Sequence, residues 1–159
     1  MNNTIIIYSL LSFLILFLCG KVSYKLNLLD HPNKRKIHTN ATAYTGGFAI
    51  SIILIFSIFL FTVSDKNLNI ILSIAFLISI IGLIDDKYNL DVSSKLSLQI
   101  IPIFYLVVFE NLALQQIGDY NYFKVELGSF VIPFTLMCVL LLINAFNYFD
   151  GIDGTLGFT

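Results

Sequence analysis

The sequence predicts an all-α, polytopic membrane bundle of about five transmembrane helices with its N-terminus outside the cell, and three observations carry that expectation. The first is composition: 159 residues that are 57% hydrophobic and 12% charged, with a mean hydropathy of +0.87, are too apolar for a soluble domain. The second is spacing. Charged side chains leave uncharged stretches at 1–20, 39–64, 67–84, 96–109 and 127–149, against the roughly 20 apolar residues that a spanning helix needs. The third is that seven of the nine positive charges fall in segments that this topology puts on one side. Nine Lys and Arg against ten Asp and Glu leave a net charge of -1, so no basic field exists to hold nucleic acid. Cys19 and Cys138 both lie inside apolar runs and offer neither a disulfide framework nor a zinc site.

The first stretch lacks a basic n-region and a small-x-small cleavage site, and Leu18 stands where a lipoprotein signal wants a small residue before Cys19; it reads as a retained helix. Stretches two, three and five are long enough to span. The fourth, 96–109, holds 14 residues and rises only about 21 Å against a hydrocarbon core of about 30 Å. It is therefore expected to continue past Glu110 towards Leu114, with Pro102 tolerated inside it. Lys21, Lys25, Lys34, Arg35 and Lys36 follow span one, and Lys87 and Lys95 follow span three, whereas Lys66 and Lys124 occupy the other two loops. The positive-inside rule then places 21–45, 85–95 and the end after 149 in the cytoplasm. No internal repeat or Pro-rich linker divides the chain, so residues 1–159 read as one membrane domain. Its small-residue ending behind a cluster of acids resembles part of a longer chain.

Three polar clusters emerge on the expected cytoplasmic face. Asp30-His31-Pro32-Asn33-Lys34-Arg35-Lys36-Ile37-His38, followed by Gly46-Gly47 at the start of span two, suits an anionic ligand at the headgroup level, because glycine lets a backbone approach phosphate. The alternative is a positive-inside anchor whose glycines merely start or pack a helix. His31 and His38 form no zinc pattern. Asp85-Asp86-Lys87 closes span three and Lys95 opens span four. Adjacent carboxylates repel, and a cation between them relieves the repulsion. Oxygen ligands favour Mg2+, with Mn2+ as the alternative, and Lys95 could neutralise a phosphate nearby; the bland reading is a hydrated helix end. Asn144, Asn147 and Asp150 recur every three residues, covering an arc of about 120° on a helix, and Asp153 extends the spacing into a glycine-bearing turn. Together the clusters suggest metal-assisted phosphoryl transfer at the inner headgroup plane, where a lipid phosphate and a soluble phosphorylated substrate could meet.

These motifs resemble, in order, those of the polyprenyl-phosphate N-acetylhexosamine-1-phosphate transferases, a family that includes the undecaprenyl-phosphate GlcNAc-1-phosphate transferases and relatives acting on UDP-MurNAc-pentapeptide. The resemblance rests on Asp-His-Pro-Asn-x-Arg-Lys-x-His with a later Gly-Gly, Asp-Asp followed by Lys95, and Asn-x-x-Asn-x-x-Asp-Gly-x-Asp-Gly. It implies UDP-GlcNAc or a related UDP-N-acetylhexosamine as donor, undecaprenyl phosphate as acceptor, release of UMP, Mg2+ as cofactor, and a multi-pass protein of the bacterial plasma membrane acting on its cytoplasmic face. Residue by residue, it implies an acidic, metal-binding centre at Asp85 and Asp86, a diphosphate contact at Lys95, and a metal ligand at Asn147. Asp150 and Asp153 would support the nucleotide and metal, while Lys36, His38, Gly46, Gly47 and Asn144 would line the substrate cleft. A homodimer is left open.

Two departures from the family pattern stand out. Ala41, Thr42 and Ala43 replace a frequent Pro-Thr-Pro, and a further metal-binding Asp and a basic loop, which the family carries in later helices, are absent, so the chain reads as an N-terminal part with weak or no activity alone. The competing functions are an ion-coupled transporter, which would place acids deep inside helices, and a noncatalytic membrane scaffold.

Overall fold

A computed structural model describes residues 2–30, 41–120 and 123–149. Its helices, in order, are α1 (Asn2–Leu26), α2 (Gly46–Leu60), α3 (Lys66–Tyr88), α4 (Val92–Phe104) and α5 (Val131–Phe149). A two-residue ribbon joins β1 (Leu29–Asp30) to β2 (Thr42–Ala43), and a hairpin pairs β3 (Gln116–Tyr120) with β4 (Phe123–Glu126). The all-α membrane architecture is the one expected: four helical segments, Asn3–Leu26, Lys66–Tyr88, Val92–Phe109 and Gly128–Asn147, are long and apolar enough to cross a bilayer, and Gly46–Leu60 is a shorter apolar helix. Residue contacts gather in two compact units that divide between Lys95 and Leu96.

In the first unit α2 packs between α1 and α3, and polar pairs set the antiparallel register. Tyr8 of α1 stacks edge-on against Phe61 at 5.3 Å, whereas near the other end of α1 the Thr45 hydroxyl donates to the Cys19 carbonyl at 3.2 Å. Between α2 and α3, the Ser51 and Ser79 hydroxyls share a hydrogen bond of 2.8 Å, and Phe48 stacks on Phe76. Serine suits this seam because its small side chain lets helices approach while its hydroxyl bonds across them. Ala49, Ile53 and Ile74 form the buried apolar core. Ser23, fully buried, donates to the Leu28 carbonyl, and β1 pairs Leu29 with Ala43.

In the second unit, the stripe Gln99, Ile103 and Val107 is buried at a spacing of four, the repeat that keeps residues on one helical face. Pro102 does not end the helix, which passes into a π-helical turn, Tyr105–Phe109; proline removes a backbone donor, and widening of the following turn is one way a helix absorbs that loss. Thr135 of α5 accepts from the Leu114 amide at 3.0 Å and donates to the Val131 carbonyl, tying the following loop to α5.

Three expectations change. The fourth span does not continue past Glu110: its helix ends at Phe109, with Asn111 in the left-handed region at φ 56°. It gains its length at the other end, starting at Val92 because Asp91 caps it, accepting from the Ser94 amide at 3.1 Å and from the Ser94 hydroxyl at 2.6 Å. The short helix is instead α2, whose 15 residues rise only about 22 Å. Gaps between charges overstate its length because uncharged residues 41–45 form strand and turn. The third change is the hairpin, which was read as plain loop. It is pinned by Asp119 opposite Lys124, a 3.1 Å ion pair.

Candidate active site

The acid pair lies in the last turn of α3, which stops at Asn89. That residue adopts φ 49°, and its amide donates back to the Asp85 carbonyl at 2.7 Å. Asparagine tolerates this left-handed conformation better than other non-glycine residues. Three residues later α4 begins, so Lys95, one turn into it, returns to Asp85, one turn back on α3. The Lys95 Nζ lies 2.6 Å from Asp85 Oδ2, and both side chains are only 19% exposed. Asp86 is exposed.

Two carboxylates sit at a helix C-terminus, where the backbone itself presents roughly half a negative charge. Lys95 pairs with Asp85, and Lys87 adds a second positive charge to the same last turn of α3. Asp91, fully exposed beside this turn, has its carboxyl held below the ordinary value of 3.8, first by the Ser94 hydroxyl and then by the Ser94 amide. Among the described residues, no three His, Cys, Asp or Glu side chains gather as a metal cage. The donor set offered by Asp85 and Asp86 is oxygen only and short of a full shell, the kind of site Mg2+ accepts when water and phosphate complete it.

Gly46 and Gly47 open α2 and are exposed. A Cβ added at either would meet nothing within 4 Å, so these glycines are not required for helix packing in the first unit. Thr45 precedes them, but its hydroxyl is turned to Cys19, and α2 has no side-chain cap. Counting six residues from the Ser51–Ser79 bond along each helix, about 9 Å, reaches Thr45 on α2 and Asp85 on α3. The glycine pair and the acid–lysine pair therefore share one end of the first unit.

In the second unit, Asn144 and Asn147 lie near the end of α5, with Asn144 half-buried and Asn147 exposed. The Asn144 Nδ2 donates to the Leu140 carbonyl at 2.8 Å and to Gln99 Oε1 at 3.0 Å. Gln99 was missed in the sequence because only charges were counted; its signal was an amide alone in an apolar stretch. Lys36, His38, Asp150 and Asp153 lie outside the described residues. A cleft of about 320 Å³ lined by Val107, Asn111, Gln115, Gly128 and Ile132 stands at the hairpin end of the second unit and contains none of the candidate residues.

Residues 68–159, more than half of the chain, match the model of the family described as glycosyl transferase family 4. The chain is 33% identical over 145 residues to the undecaprenyl-phosphate alpha-N-acetylglucosaminyl 1-phosphate transferase of Escherichia coli O157:H7, covering 91% of this chain and 40% of that protein. It is 30% identical to the protein of the same name from Yersinia pestis, over 99% of this chain and 43% of the relative. It is 28% identical to a probable undecaprenyl-phosphate N-acetylglucosaminyl 1-phosphate transferase of Bacillus subtilis, over 93% and 42%. The chain thus spans about two fifths of the length of these relatives. No solved structure matches it. With an acid pair closing α3, a lysine folded back onto it, and a family match that runs through both and on to the asparagines of α5, the chain belongs to glycosyl transferase family 4.

Proposed function

We propose that this chain supplies part of the active site of a membrane transferase that moves N-acetylhexosamine-1-phosphate, GlcNAc-1-phosphate in the first instance, from a UDP-sugar to undecaprenyl phosphate. The reaction releases UMP and begins a cell-envelope glycan at the cytoplasmic face of the bacterial plasma membrane. The names of the relatives support the acceptor and the sugar. The observation that carries the chemistry is the 2.6 Å Asp85–Lys95 pair with Asp86 beside it.

The lipid phosphate oxygen attacks the phosphorus that bears the sugar, a new P–O bond forms, and the bond to UMP breaks with its electron pair leaving on UMP. A phosphate monoester is already largely ionised near neutral pH, so the main barrier is bringing two anions together. Lys95 lowers that repulsion, and Asp85 holds Lys95 at the site. Mg2+, with Asp85, Asp86 and, by resemblance, Asn147 as its protein ligands, would supply charge neutralisation at the diphosphate. Lys36 and His38, with Gly46, Gly47 and Asn144, belong to the nucleotide-sugar side of this reading, as do Asp150 and Asp153.

The test is UMP release by the full chain as its gene encodes it, comparing Asp85→Asn, Asp86→Asn and Lys95→Met with the parent protein. Losing a group that stabilises transition-state charge costs about 10²–10³-fold in turnover, and each variant is expected to fall by that order while remaining helical. Unchanged Mg2+-dependent release in all three would overturn the catalytic assignment of these residues, and no release by the parent protein would favour a noncatalytic scaffold. Proton or ion flux through liposomes would instead favour a transporter.

A further inference from the structure

Gln99 is only 2% exposed, on the same buried stripe as Ile103 of α4 and Val107 of the π-helical turn that follows. A buried amide in an apolar helix is costly unless it is hydrogen-bonded, and Gln99 meets that need through Asn144 on α5. The Leu140 carbonyl can only accept, so the Asn144 atom facing it is the amide nitrogen, and the second hydrogen on that nitrogen goes to Gln99. Both donors of Asn144 are thereby engaged inside the protein. Asn147 follows three residues later, exposed and displaced by about 60° around the helix.

We infer that Gln99 is a positioning residue for Asn147: its hydrogen bond to Asn144 locks the rotation of the end of α5 against α4, and so fixes the direction in which the Asn147 amide faces its ligand. The inference rests on the reading of Asn147 as a ligand-contacting residue. It changes the part played by Asn144, whose amide nitrogen holds the helix and whose carbonyl oxygen alone could reach a substrate.

The experiment compares Gln99→Leu, Asn144→Leu and the double swap Q99N/N144Q in the full chain. The swap keeps both amides and their combined length. Backbone hydrogen exchange over 141–149 reads the clamp directly, and UMP release with UDP-GlcNAc and undecaprenyl phosphate reads its consequence. Interhelical side-chain hydrogen bonds in membrane proteins correspond to about 3- to 20-fold in such equilibria, so each single variant is expected to exchange faster by that factor. In both, kcat is expected to fall about tenfold with KM for the nucleotide sugar little changed. The swap is expected to recover both measurements to within about threefold of the parent. Unaltered exchange in Gln99→Leu overturns the clamp, whatever turnover does. A swap that restores exchange but not turnover shows that Asn144 touches substrate itself, and overturns the positioning role. The parent protein is the control: if it releases no UMP, the transferase reading has failed, and the clamp is then decided by exchange alone.

Discussion

Asp91 shows how one carboxylate sets where a helix begins. Its oxygens take both the hydroxyl and the amide hydrogen of Ser94, and those bonds hold its carboxyl below the ordinary 3.8. A lowered folded value means that the cap contributes stability at and above the ordinary value and loses it as pH falls through the lowered one. Protection of the amides at 92–95, measured relative to their intrinsic exchange rates, is therefore expected to hold through neutral pH and to fall only below pH 3.8. With Ser94→Ala, which removes the largest cause, the change should begin closer to that value, and identical pH profiles for the two proteins would refute the assignment. The partner of Lys95 was not legible at this scale: Asp85 and Asp86 are equivalent as letters. What makes Asp85 the partner is the phase at which α3 ends, and that depends on Asn89 taking a left-handed conformation. Gln99 was invisible for a different reason, since an amide carries no charge to interrupt an apolar run.

Between helices, the polar seams decide register. The Ser51 and Ser79 hydroxyls lie 2.8 Å apart, and each is also within reach of a carbonyl of its own helix, Phe48 and Phe76 respectively; with one hydrogen apiece, one hydroxyl donates across the seam while the other donates to its own helix. Ser51→Ala and Ser79→Ala are each expected to lower stability by about 0.6 kcal/mol, the mean for such bonds within membranes, and the double variant by little more than either single one. Full additivity in detergent unfolding would mean that the two hydroxyls do not interact. The existence of every helix was legible in the apolar runs, but their ends were not. Residues 41–45 carry no charge and yet form strand and turn, which makes α2 shorter than its apolar stretch. Asp91 caps α4 at Val92, ahead of the uncharged stretch that starts at 96. The β3–β4 hairpin is not legible in the gaps between charges, because its signal is a pairing across strands: Asp119 and Lys124 face each other across the ladder.

Across the whole chain, the seven-to-two division of Lys and Arg is what predicts the sidedness of the loops. With Cys19 and Cys138 replaced by Ala, single cysteines at Lys25 and Lys87 are expected to react with a membrane-impermeant maleimide only from the cytoplasmic side, and one at Lys124 only from outside. Labelling of Lys87 and Lys124 positions from the same side would sink the topology and, with it, the cytoplasmic site. The family resemblance was legible because it rests on residue types at fixed spacings, whereas the Gln99–Asn144 bond joins residues 45 apart and needed the fold to be seen. The acid and lysine, by contrast, are only ten residues apart. Closing so small a loop sacrifices little chain entropy and takes about 10–100 ns. During synthesis, which proceeds from the N-terminus, the charged centre can assemble on its own turn before α5 has left the ribosome, so its geometry is inherited by later segments rather than imposed by them.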